Sequence, residues 1–149
     1  MTQLILLPGL AGDAAMWRHQ LGALSAWSPV VADVHARFPT IAEMACALLA
    51  EHAGPLVLCG ASMGGIVAME VAHQAPGRVA GLALLGTNAQ PESAEMRALR
   101  EAAIVLFEQG RAAEVIEPNV ALAFHPDNAD SPALPQAYLE FVLRAGAAQ

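Results

Sequence analysis

Leu56-Val57-Leu58-Cys59-Gly60-Ala61-Ser62-Met63-Gly64-Gly65 passes from four apolar residues into a turn of small ones, and 65–74 beyond it has the pattern of a helix. A short apolar run bounded by a turn reads as a strand buried on both faces. A serine at such a strand-to-helix bend is presented at the carboxyl edge of a sheet, on a strained backbone, with its hydroxyl outward. Gly60, Gly64 and Gly65 omit side chains where helix and neighbouring strand must approach. The Met63 N–H, at the amino end of the helix, faces the place where an oxyanion would develop.

Outward from this stretch the same alternation repeats. Leu4-Ile5-Leu6-Leu7, stopped by Pro8-Gly9, reads as a buried strand, 29–33 as a short second one and 79–85 as a fourth. Between them, 14–24 carries Met16, Trp17, Leu21 and Leu24 at helical spacing. Thr40, with Glu43 three residues on, forms a capping box for a helix to about His52, striped by Ile41, Met44, Ala45, Leu48 and Leu49. Residues 34–39 read as a loop. Four strand–helix repeats with apolar strands predict a parallel sheet covered by helices on both faces, with right-handed crossovers. After Asn88 the pattern changes. Helices are expected over 94–108 and 112–117, with Pro118 opening the next turn. A polar loop then spans 125–135, and a last helix is capped by Ser131 with Tyr138, Phe141 and Val142 on its apolar side. No strand reads after Leu85. The expected division is an α/β core, 1–89, and an all-helical segment, 90–149.

The composition narrows the chemistry. The chain has 149 residues, 56% hydrophobic and only 5% aromatic, and 33 of them are alanine, which excludes disorder through low hydrophobicity. All seven basic residues are arginine against fourteen acidic ones, for a formal charge of -7. With no lysine there is no Schiff-base or phosphate-gripping lysine, and with no basic patch neither nucleic acid nor an anionic membrane is an expected partner. Cys46 and Cys59 lack metal-ligand spacing and read as two buried free thiols of a reducing compartment rather than a disulfide. Met1-Thr2-Gln3 has no positive n-region, and no apolar run approaches the about 18 residues of a membrane helix, so a cytoplasmic location is expected.

A second chemical element lies at the end of the first strand. An acyl-transfer site needs two N–H donors for one oxyanion. The residue after the serine supplies one, and the turn Leu7-Pro8-Gly9-Leu10 offers the Leu10 N–H as the other. Together these residues resemble the amino-terminal part of an alpha/beta-hydrolase superfamily enzyme, an esterase- or lactonase-like member with a helical lid. Gly60-Ala61-Ser62-Met63-Gly64-Gly65 resembles the family's nucleophile elbow. Leu4 to Gly9 resembles its oxyanion-hole strand and turn, with Pro8 where histidine is usual, Trp17 its following aromatic, and 79–87 the strand after the elbow. The resemblance implies an α/β fold of about four parallel strands flanked by helices. It further implies Ser62 as nucleophile, Leu10 and Met63 as oxyanion donors, 90–149 as the start of a lid, and no organic cofactor or metal.

The departures matter as much. In the family the triad runs serine, acid, histidine, with the last two on loops after later core strands. Nothing after Leu85 reads as such a strand, so the chain reads as truncated, with triad acid and base missing. The local substitutes are His125 with Asp127 (and Asp130 beyond) in the polar loop, and His35 with Asp33 after the second strand. His73 and Glu92 rank below these; His19 and His52 read as surface residues and Asp13 as a helix cap. Phe107, Phe124, Tyr138 and Phe141 line a pocket or fill a lid core. Two readings follow. One is a serine hydrolase acting on an ester-like small molecule. The other is an inactive hydrolase fragment that self-associates or pairs with a complementary chain. Acyl chain, lactone, peptide and carbon–carbon substrates all stay open.

Overall fold

The computed structural model describes residues 1–125 and 133–146. They divide into two compact units, Met1–Ala89 and Gln90–Gln149.

The first unit contains β1 (Gln3–Leu7), α1 (Arg18–Leu21), β2 (Val30–Val31), α2 (Val34–Arg37), α3 (Ile41–Glu51), β3 (Leu56–Ala61), α4 (Met63–Gln74) and β4 (Val79–Leu85). The sheet order is β2-β1-β3-β4, every pair parallel. The chain moves from β1 to one side, then crosses to β3 on the other. In open α/β sheets such a reversal leaves a crevice at the carboxyl ends of the two strands. Leu7 pairs with Gly60 and Ala61 with Leu85, so β1, β3 and β4 end nearly level there.

Side chains alternate along β1 and β3 and feed two cores. Ile5, Leu7, Leu56 and Leu58 pack with Val34, Met44, Ala45 and Leu48, and with Val67, Ala68 and Val71 of α4. On the opposite face Leu6 and Ala61 meet Trp17, flanked by Met16, Leu21 and Leu24. Thr40 caps α3 as expected, its Oγ1 accepting the Glu43 N–H at 3.2 Å, but the return half of the box differs: the Glu43 carboxylate accepts from the Thr40 hydroxyl at 2.7 Å rather than from its backbone N–H.

Several expectations are corrected. The run 14–24 is not one helix: a 3-10 turn at Ala14–Trp17 leads into one turn of α1, and a second 3-10 turn follows at Ser25–Trp27. Trp17 turns into the core at φ -98°, ψ 4°, and Gly22 weakens the run beyond it. The second strand shrinks to two residues, and the expected loop 34–39 holds α2. Cys46 is exposed, because the inward stripe of α3 is Met44, Ala45 and Leu48; Cys59 is half-buried and both thiols are free. Burial in apolar surroundings pushes the Cys59 thiol pKa up. Nor is β4 buried on both faces. Leu82, Leu84 and Leu85 are 44%, 42% and 48% exposed, since β4 has a neighbour only on its β3 side among the described residues.

Among its described residues the regular elements of the second unit are all helical: α5 (Ala94–Glu108), α6 (Ala112–Ile116), a 3-10 stretch Glu117–Ala123 containing Pro118, and α7 (Ala133–Gly146). Ser93 caps α5 by accepting the Met96 N–H at 3.2 Å. Tyr138 stands edge-to-face between Phe124 (5.6 Å) and Phe141 (5.2 Å), and Val120, Phe141 and Val142 are buried. Ser131 and Pro132, expected to open α7, lie outside the described residues.

Candidate active site

Ser62 stands between β3 and α4 at φ 50°, ψ -118°, one of three non-glycine residues with positive φ among the described residues. Such a conformation costs on the order of 1–3 kcal/mol and persists only where the surroundings over-determine it. They do so here. The Ser62 N–H donates to Leu85 O at 2.8 Å, and Ser62 O accepts from Gly65 N at 3.0 Å and from Thr87 Oγ1 at 3.0 Å. Both main-chain polar groups of Ser62 are thus held, the N–H by β4 and the carbonyl by α4 and Thr87. The side chain is left exposed.

The glycines of the motif are steric necessities. A Cβ on Gly60 would lie 2.3 Å from Gly64 O, one on Gly64 2.2 Å from Leu7 O, and one on Gly65 1.9 Å from Thr87 Oγ1. The missing side chains let α4 start directly against the ends of β1 and β4.

The turn after β1 closes on this bend. A Cβ on Gly9 would meet Ala61 O and Ser62 Cβ, both at 3.3 Å, with Ser62 Oγ at 3.9 Å. Gly12 N donates to Gly9 O at 3.0 Å, with Ala11 at φ 55°. That is a tight turn with a left-handed third residue, where glycine is the usual choice. Leu10, the second residue of the turn, is 56% exposed. Met63 opens α4, so its N–H has no acceptor within the helix. A strained hydroxyl-bearing residue, the amino end of α4 and the turn after β1 therefore meet at the carboxyl ends of β1 and β3.

The other candidates are dispersed. His35 is half-buried, and its Nε2 lies 2.8 Å from Gly12 O. A carbonyl only accepts, so that nitrogen carries the proton and donates. Asp33 is exposed and paired with Arg37. His52 is half-buried rather than superficial: it caps α3 and its Nδ1 meets Gln3 Oε1 at 3.0 Å. His19 and His73 are exposed on α1 and at the end of α4. None of these four histidines bonds the Ser62 hydroxyl. Asp13 caps the first 3-10 turn, accepting the Ala15 N–H at 2.8 Å. His125 belongs to the second unit and is exposed; Glu92 of that unit pairs with Arg100. Asp127 and Asp130 lie outside the described residues. Among the described residues no three His, Cys, Asp or Glu side chains gather as metal ligands, and no helix is long and apolar enough to cross a membrane. Sequence reasoning missed Thr87, which locks both the Ser62 carbonyl and the approach of Gly65. Nothing in the spacing of a threonine two residues past a strand signals that role.

Four parallel strands in this order, flanked by helices, make a partial alpha/beta-hydrolase fold. Residues 13–129 match the family described as serine aminopeptidase, S33, and the chain belongs to this family of alpha/beta hydrolases. Over 63 residues it is 43% identical to a pimeloyl-[acyl-carrier protein] methyl ester esterase of Aromatoleum aromaticum, a match covering 40% of this chain and 25% of that protein. Among solved structures it resembles a thermophilic esterase from Thermogutta terrifontis, with a TM-score of 0.76 and 24% identity, covering 99% of this chain and 61% of the other. A hydrolase from Oleispira antarctica superposes with a TM-score of 0.65 at 18% identity, covering 99% and 64%. The chain thus spans less than two thirds of the length of these relatives.

Proposed function

We propose that this chain carries the nucleophile and oxyanion half of a serine hydrolase site that acts on carboxylic esters. The observation that supports it most is the Ser62 bend, held at positive φ at the end of β3 with Gly9 so near that an added Cβ there would stand 3.3 Å from Ser62 Cβ. Ser62 Oγ attacks the ester carbonyl carbon. The carbonyl oxygen becomes an oxyanion held by the N–H groups of Leu10 and Met63. Collapse expels the alkoxide, and water releases the acid from the acyl-serine in a second step. The proton taken from Ser62 is passed to the leaving alcohol by a base. None of the four histidines of the first unit bonds the Ser62 hydroxyl, so we assign the base and its acid partner to residues outside that unit. The lid role of 90–149 belongs to the same proposal. The ester class is favoured by the relatives at hand, a methyl ester esterase and an esterase. No metal or organic cofactor enters this reaction.

An activated ester such as a nitrophenyl acyl ester needs no protonation of its leaving group and suits a site short of a base. The expected result is a burst of nitrophenolate approaching one equivalent, and a single fluorophosphonate adduct mapping to Ser62, both lost in Ser62→Ala. No burst and no Ser62 adduct would contradict the assignment.

The exposed leucines of β4 favour a second reading, in which a further copy of the chain pairs along that edge.

A further inference from the structure

We infer that His35 is a positioning residue that clamps the turn bearing the Leu10 N–H. The inference rests on the hydrolase reading above and assigns that site one more part. The Gly9–Gly12 turn is unusual in three respects. It holds a non-glycine residue, Ala11, at φ 55°, a left-handed conformation that is unfavourable for a residue with a Cβ. It carries an exposed Leu10. And it must hold one backbone N–H in a fixed direction, because an oxyanion donor works by being organised before the charge appears.

Only Leu10 of the turn is exposed, Gly9, Ala11 and Gly12 being buried, and a strained turn keeps such a geometry only if its surroundings over-determine it. The Gly12 N–H to Gly9 O bond closes the turn from within. From outside, His35 Nε2 donates to Gly12 O at 2.8 Å across 23 residues of sequence. His35 is itself well anchored. It lies on α2, whose Val34 is 1% exposed in the main core. The next turn position, Arg37, bonds Asp33 at 2.8 Å and both Glu51 oxygens at 2.8 and 2.9 Å, tying α2 to α3. The clamp therefore runs from α3 through α2 and the imidazole to the turn beside Ser62. With Nε2 committed to a carbonyl, the ring holds the turn rather than taking the Ser62 proton.

The test is the rate of phosphonylation of Ser62 by a fluorophosphonate, because the phosphoryl oxygen uses the same donors. The rate constant and the inhibitor's binding constant are read separately for the full chain, His35→Leu, His35→Gln and Ser62→Ala, each checked for folding by circular dichroism. Removing the donor should lower the rate constant about tenfold or more while the binding constant stays within about twofold. His35→Gln, whose amide reaches the same carbonyl, should recover most of the loss. Should His35→Leu not fold, His35→Asn, whose amide stops short of Gly12, takes its place. Equal rates in all folded His35 variants overturn the clamp while leaving the nucleophile intact. Loss in both Leu and Gln variants overturns it in favour of His35 as base. No labelling of the unaltered chain overturns the hydrolase reading itself, and the clamp with it.

Discussion

Gly60, Gly64 and Gly65 look alike in sequence, but their surroundings differ, and the difference is measurable. A Cβ on Gly64 collides with Leu7 O and Pro8 O, both main chain that cannot yield without moving β1. Gly64→Ala should therefore cost roughly 3 kcal/mol or more, above ordinary overpacking, read as a lower denaturation midpoint in urea. A Cβ on Gly65 collides instead with the Thr87 side chain. Gly65→Ala should be severe alone and partly restored by Thr87→Gly, and a double-mutant cycle with no coupling would contradict the contact. Gly22 is the control: it has helical φ and ψ and open space around it. Gly22→Ala should stabilise the fold by about 0.5 kcal/mol. The need for small residues was legible in the sequence. Which wall each one faces was not, because that depends on the level ends of three strands.

Among elements, the long periodic ones were legible. The bounds of β4 and α5 and the cap of α3 follow from local signals: an apolar run between turns, a heptad-like stripe, a threonine three residues before a glutamate. Short elements were not, since a four-residue helix such as α2 owes its existence to partners far along the chain. Arg37 is the clearest case. Its hydrogen bonds to Glu51 hold the Glu51 carboxyl below its ordinary pKa and raise the guanidinium's. A lowered folded pKa adds stability above the unfolded value and loses it as pH falls through the folded one. Glu51→Gln should thus lower Tm modestly at neutral pH, and the difference should shrink as pH falls below the ordinary carboxylate range and close only below the lowered folded pKa, where the folded carboxyl is protonated too. A difference independent of pH would mean the ion pair does not hold α2. The exposure of β4 was equally out of reach, because an apolar strand reads as buried whether or not a neighbour covers it.

At the scale of the molecule, a parallel sheet normally has both faces covered. Here the last strand exposes Leu82 and Leu84 on one face and Leu85 on the other, along an edge unpaired among the described residues. If a second copy pairs there, sedimentation velocity should show concentration-dependent association that Leu84→Lys weakens; identical sedimentation of both proteins as monomers would contradict edge pairing. The class of the fold was legible because four strand–helix repeats admit few arrangements. The order β2-β1-β3-β4, which brings the turn after β1 beside Ser62, was not, since it is decided by long-range packing. The proposed site of one hydroxyl and two amides depends on that adjacency. A crystal structure of the fluorophosphonate-treated protein tests it directly. It should show phosphorus bonded to Ser62 Oγ and its non-bridging oxygen about 2.7–3.1 Å from both the Leu10 and Met63 nitrogens. Phosphorus on another residue, or an oxygen turned to solvent away from those two nitrogens, would contradict the account.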